Sequence, residues 1–140
     1  MKLRNENITL SICIVGINSE NYLRNCIVSI SSSGLTVLYI CPIKALLNNL
    51  EPRLSHYAGL VGRRVAVWHG DISDSRKQEI RRDPPDVLLT TPESLEGMLI
   101  STRTDRQALF GALRTVIVDE LHAFAGDDRG WHLRAVLDRV

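Results

Sequence analysis

Four short, largely apolar runs recur between Leu35 and Val118, and each stops at a proline, a glycine turn or an acid. Leu35 to Cys41 ends at Pro42, Arg64 to Trp68 at His69-Gly70-Asp71, Asp86 to Thr90 at Thr91-Pro92, and Thr115 to Val118 at Asp119-Glu120. Runs rich in β-branched residues, with no polar alternation, read as strands buried on both faces, the mark of a parallel sheet. Ile8 to Val15, bounded by Gly16, reads as a first strand by the same rule.

The stretches between these runs carry helical period instead. Ser19 to Ile30, capped by Asn18 or Ser19, sets Tyr22, Leu23, Cys26, Ile27 and Ile30 on one face. Ser31-Ser32-Ser33-Gly34 is a loop. Ile43 to Tyr57 shows the same period through Leu46, Leu47, Leu50 and Leu54, with Pro52 inside it. A mid-helix proline costs about 3 kcal/mol, which predicts a kink or a break before Glu51. A polar helix capped by Ser73 or Asp74 runs to Arg82, another starts at Thr91-Pro92 and runs to Ile100, and a short one spans Arg106 to Leu113. Gly130 to Val140 closes the chain with Leu133, Val136 and Leu137 inward. Strands alternating with helices predict an α/β fold, a three-layer parallel sheet with flanking helices and right-handed crossovers. Such a sheet collects its strand tips on one rim, where ligands bind.

The length, 140 residues, suits one domain with one core. A net charge of +1 excludes a global field toward nucleic acid or membrane, so any polyanion site must be a local patch. Cys13, Cys26 and Cys41 form no C-x-x-C pair, which argues against a disulfide framework or zinc knuckle. That usage suits a reducing cytosol, and a cytoplasmic location is expected. No segment is long and apolar enough to cross a bilayer, so no membrane partner is expected. Lys2 and Arg4 before Ile8 to Ile17 resemble the front of a signal peptide, but Asn5, Glu6 and Asn7 interrupt it. A buried strand is the better reading.

Three strand tips carry candidate chemistry. Asp119 and Glu120 follow an apolar strand directly, with His122 two positions on. A lone acid pair is more often a soluble strand exit. At a sheet rim, however, Asp119 can hold Mg²⁺ through water and Glu120 can act as general base toward an attacking water, with His122 beside them. Pro42-Ile43-Lys44 starts a helix whose first N–H groups and Lys44 suit a phosphate of a nucleic acid backbone. Thr91-Pro92 repeats the device, with Thr91 as cap and possible phosphate donor. Each alone is as well explained by a solvated first turn or an ordinary cap. His69-Gly70-Asp71 is a plain turn or a close approach to a ligand. Arg76, Lys77, Arg81 and Arg82 form a basic face, a pattern more often solvated than binding. His122, Asp127, Asp128 and His132 match no zinc spacing.

Taken together, these segments resemble superfamily-two DEAD/DEAH-box helicases of the DExH kind. Pro42-Ile43-Lys44-Ala45-Leu46 resembles motif Ia, Thr91-Pro92-Glu93-Ser94-Leu95 motif Ib, and Asp119-Glu120-Leu121-His122 motif II. With His69-Gly70-Asp71 and Arg129-Gly130-Trp131-His132-Leu133, the wording is similar to Lhr-type helicases, in order and spacing, from Gly34 to Val140. The resemblance implies a RecA-like P-loop NTPase fold and ATP with Mg²⁺ as cofactors. It implies a DNA or RNA single strand as partner, and a second RecA-like domain beyond this chain. It also implies hydrolytic roles for Asp119 and Glu120 and a coupling role for His122. By the same resemblance Lys44 and Thr91, with Pro42 and Pro92 in the same motifs, are expected to contact the strand, and Gly70 and Asp71 to form a turn near its track.

Two departures stand out. The family's phosphate loop, G-x-x-x-x-G-K-[ST], is expected near Gly16, yet Ile14-Val15-Gly16-Ile17-Asn18-Ser19-Glu20 holds no lysine. The chain also stops before a motif III and a second domain. The expectation is therefore a partial helicase ATPase domain over residues 1–140, with 34–140 in the family pattern and 1–33 diverged or out of frame. Negligible ATPase activity follows. The alternatives are a non-catalytic nucleic-acid-binding module and an inactive remnant.

Overall fold

The computed structural model describes residues 11–15, 19–30, 34–126 and 128–140. Among these, β1 (Ser11–Val15), β2 (Val37–Ile40), β3 (Val65–Trp68), β4 (Val87–Thr90) and β5 (Thr115–Asp119) form one sheet in the order β1-β5-β2-β4-β3. Every pairing is parallel. The helices are α1 (Ser19–Ser29), α2 (Lys44–Leu60), α3 (Asp74–Arg82), α4 (Pro92–Ile100), α5 (Arg106–Phe110) and α6 (Asp128–Leu137). A 3-10 turn, Leu121–Phe124, follows β5 and was not anticipated from the sequence. The expected Asn18 cap and the Ser31–Ser33 loop fall outside the described residues.

All four residues of β2, β3 and β4 are buried, as strands covered on both faces must be. Side-chain alternation splits the core into two layers. Val37, Tyr39, Val67, Leu89 and Ile117 pack against α1 and α2. Leu38, Ile40, Trp68, Leu88, Val116 and Val118 pack against α3 to α6. The result is the α/β three-layer architecture that the strand–helix alternation predicts.

The predicted break at Pro52 does not occur, and α2 runs from Lys44 to Leu60 with the proline inside. Proline removes one backbone donor, but Leu47, Leu54 and Ala58 on either side of it are all fully buried, and that packing outweighs the local preference. The helix also passes Tyr57, where its period fades, and stops at a glycine. Gly62 has φ +69°, its N–H donates to Gly59 O and the Arg63 N–H donates to Ala58 O at 2.8 Å. This is a Schellman end, which needs the left-handed residue that glycine supplies. Of the apolar faces read from sequence, Leu23 and Ile27 of α1 and Leu133 and Val136 of α6 are buried, whereas Tyr22 and Leu46 lie exposed.

Candidate nucleotide and nucleic-acid site

Register explains how the acid pair is held. β5 lies between β1 and β2, with Val15 opposite Asp119 and Tyr39 opposite Ile117. Asp119 is two residues beyond Ile117 and so lies on the same face, diagonal to Tyr39. The Tyr39 ring is buried and its hydroxyl donates to Asp119 Oδ2. Asp119 Oδ1 accepts the Glu120 N–H at 2.9 Å. Glu120 adopts the left-handed conformation (φ 52°, ψ 41°) as the chain turns from β5 into the 3-10 turn. Its Oε2 lies 3.1 Å from His122 Nε2, and His122 is exposed. All three predicted catalytic residues are therefore together at the carboxyl end of β5.

Cys41, the residue after β2, borders this cluster. Burial, the largest influence, pushes its thiol up to about 11, and the charges of Asp119 and Glu120 push the same way. A hydrogen bond with the Ile43 backbone opposes that rise. Tyr39 and Cys41 were not picked out as site residues by sequence. A usable signal existed for Tyr39: a phenol in an otherwise apolar central strand must find a polar partner when buried.

Of the other predicted residues, Pro42, Lys44, Gly70 and Thr91 line a groove of about 700 Å³ across the tips of β2, β3 and β4, whereas Asp71 and Pro92 adjoin it in sequence without lining it. Lys44 Nζ sits 3.1 Å from both carboxylate oxygens of Asp71, and both side chains are well exposed. His69 is buried, with Nε2 2.8 Å from Asn48 Oδ1 and Nδ1 accepting the Asp71 N–H at 3.3 Å, which fixes the Nε2–H tautomer. A Cβ built on Gly70 would meet only Lys44 Nζ, at 3.5 Å, so packing does not demand glycine there. Thr91 caps α4, accepting the Ser94 N–H at 3.3 Å, and its hydroxyl lies 3.1 Å from Ser94 Oγ. Thr91 and Pro92 are both buried, and Pro92 occupies the first turn, as expected. Pro42 does not begin α2 but precedes its cap, Ile43, which offers no side-chain bond to the first turn.

Arg129 joins the two halves of the rim, donating to the Pro42 carbonyl at 3.2 Å and lying 3.5 Å from Glu93 Oε1. Sequence marked it only as part of a resemblance. No cluster of three metal-ligating side chains occurs among the described residues. His122 is paired with Glu120, His132 Nε2 lies 2.8 Å from Glu96 Oε2, and Asp127 is outside the described residues. No described helix is long and apolar enough to cross a membrane.

A parallel sheet with carboxylates and helix starts gathered on its carboxyl rim defines a RecA-like α/β domain. Comparison with known proteins agrees and goes further. The model for the DEAD/DEAH box helicase family matches residues 19–140, and the chain belongs to that family. It is 42% identical to the Lhr helicase/uracil glycosylase of Escherichia coli over 116 residues, 74% of this chain and 7% of that protein. It is 35% identical to the ATP-dependent helicase Lhr-Core of Methanocaldococcus jannaschii, covering 94% of this chain and 16% of that one. The solved structure of Mycobacterium smegmatis helicase Lhr bound to ssDNA and AMP-PNP superposes with a TM-score of 0.73 at 36% identity, covering 96% of this chain and 19% of that one. The chain thus spans less than a fifth of the length of each of these relatives.

Proposed function

We propose that the chain is the first RecA-like domain of an Lhr-type, ATP-dependent helicase, the part that binds Mg-ATP on one side of its rim and a DNA or RNA single strand on the other. The observation that carries this reading is the sheet order. It puts the Asp119–Glu120 tip directly beside the β2 tip that leads to Lys44, with the Thr91–Pro92 tip next in line.

The acid half fits a hard cation. Asp119 offers carboxylate oxygens at a half-buried rim position, oriented by Tyr39 and the Glu120 N–H, and would hold Mg²⁺ through water. When bound, ATP supplies the phosphoryl group that passes to water, and Mg²⁺ neutralises its charge. Glu120 would take a proton from that water, and His122, 3.1 Å away, would orient Glu120 and link it to strand binding. The phosphate cradle fits less well. Between β1 and α1 the sequence is Gly16-Ile17-Asn18, without lysine or arginine, and the three lysines are Lys2, Lys44 and Lys77. Lys44 and Lys77 both line the strand groove. Without a lysine at the β1 exit, the β- and γ-phosphates lose their main grip. The chain by itself is expected to turn over ATP negligibly while retaining the strand groove of Pro42, Lys44, Gly70 and Thr91, with Asp71 and Pro92 beside it. A second RecA-like domain, as partner, would complete the enzyme, and a cytoplasmic location would suit it.

Two measurements on the purified chain test this. Phosphate release from Mg-ATP should match that of Glu120→Gln, and rapid hydrolysis abolished by that substitution would overturn the inactive reading. A single-stranded oligonucleotide should bind at low salt and bind more weakly to Lys44→Ala. Absence of binding at low salt would overturn the groove assignment.

A further inference from the structure

We infer that α3 supplies a second phosphate subsite in the strand groove, with Lys77 and Arg81 as its cations. The inference rests on the groove reading above and extends it to a helix outside the three motif-bearing tips.

The four cations of α3 do not behave alike. Arg76 pairs with Glu79 at 2.9 Å and lines a separate cavity with Arg63 and Arg64. Lys77 and Arg81 are one turn apart, share a face and line the groove opposite Thr91 and Ser94. Both are only part-exposed, and neither has a carboxylate partner among the described residues. Lys77 Nζ makes one long contact, 3.4 Å to the Gly70 carbonyl. Arg81 is held more firmly. Its guanidinium carbon lies 4.8 Å over the ring of buried Trp68, and its Nε donates to Thr104 Oγ1 at 3.3 Å.

Stacking and the Nε bond fix the plane of the Arg81 guanidinium while leaving its two terminal nitrogens for a ligand. A planar fork with two open donors suits a phosphate, which it can grip through two bonds. Two acids line the groove: Glu93 lies 3.5 Å from Arg129, and Asp74, in the first turn of α3, makes no ion pair with Lys77 or Arg81, while Asp71 beside the groove is engaged by Lys44. Part-buried cations without counter-charge are costly unless an anion completes them. A groove that continues from Lys44 past Gly70 to Lys77 and Arg81 calls for a chain of phosphates, the chemistry of a single nucleic acid strand. Free inorganic phosphate shares that chemistry at one site but not along the groove.

Salt dependence separates these outcomes. With an oligo(dT) single strand and the full chain, each phosphate contact contributes roughly 0.7 to the slope of log affinity against log salt. Lys77→Gln and Arg81→Gln should each lower that slope by about 0.7, and the double variant by about 1.4. Arg76→Gln, the same charge change on the opposite face, should leave it unchanged, and Arg81→Lys should largely restore it. Should Arg81→Gln fail to fold, Lys77→Gln carries the test alone. Slopes for the groove variants that match Arg76→Gln would overturn the subsite. Competition by millimolar inorganic phosphate as effective as by the strand itself would reduce it to a small-anion site and overturn the strand assignment. Loss of binding in Lys44→Ala with no effect of the α3 variants would refute this inference alone, whereas no binding by the unmodified chain would refute the groove reading and the subsite with it.

Discussion

Glu120 is the one non-glycine residue among those described with a positive φ, and that makes its backbone testable apart from its carboxylate. The left-handed region costs an L-residue about 1–2 kcal/mol, because Cβ crowds the following carbonyl. Glycine escapes this cost but loses more chain freedom on folding, about 0.5–1 kcal/mol. Glu120→Ala keeps the Cβ and its strain, and Glu120→Gly removes both. Both lose the same ion pair with His122, whose side chain is 81% exposed, so that loss, about 0–1 kcal/mol for a surface pair, cancels between them. The glycine variant should therefore be more stable than the alanine variant by about 0.5–1 kcal/mol. For a chain of this size 1 kcal/mol moves Tm by about 2–4 °C, so thermal melts of the two variants resolve the difference. An alanine variant that melts at or above the glycine variant would refute the claim that strain is held at this turn. The expected order also says something about function. A glutamate is kept where glycine would be more comfortable, so the position is occupied for its carboxylate at a cost in stability.

Two further outcomes follow from the rim. Asp71→Asn should change stability by less than about 1 kcal/mol, because its pair with Lys44 is exposed, yet it should tighten single-strand binding at low salt and steepen the salt slope by about 0.7. Affinity that stays level or falls on fluorescence titration would count against Lys44 as a phosphate contact. Cys41, raised from 9.0 to about 11, should resist thiol reagents at pH 8 in a Cys13→Ser, Cys26→Ser background, with a thiolate fraction about 100-fold below that of an ordinary thiol. The sign for folding is that of a raised acid: its contribution is complete below pH 9.0 and is lost between 9.0 and about 11, as the unfolded thiol ionises first. Labelling as fast as a free cysteine would show that the β2 tip is not closed around it.

Much of this arrangement was legible because parallel strands announce themselves. Runs such as Val87-Leu88-Leu89 have no polar alternation, and buried strands tolerate little else. The strand order was not legible, since nothing local in Thr115–Val118 says that β5 inserts between β1 and β2. That long-range fact is what brings Tyr39 to Asp119, two residues 80 positions apart. The Pro52 break misled for a related reason: a local penalty of a few kcal/mol is smaller than the burial of Leu47 and Leu54 around it. The basic face of α3 was ambiguous in sequence because Arg76, Lys77, Arg81 and Arg82 look equivalent until the helix is docked. Only then does Arg76 turn away to meet Glu79 while Lys77 and Arg81 turn into the groove.

The two halves of the rim meet on β2. Within four residues, this strand and its exit supply the hydroxyl that holds Asp119, the thiol beside Glu120 and the proline whose carbonyl is fixed by Arg129. Arg129 in turn lies downstream of the acid pair on α6 and reaches Glu93 in the first turn of α4. The acids and the groove are therefore tied twice, through the strand from inside the sheet and through an arginine from above it. β2 is buried along its whole length and hydrogen-bonded on both edges, so Tyr39 is held in a rigid central strand between the two halves. A physical connection of this kind is what a domain needs if strand position and nucleotide state are to report on each other, and here it is built from the residues flanking the motifs rather than from the motifs themselves.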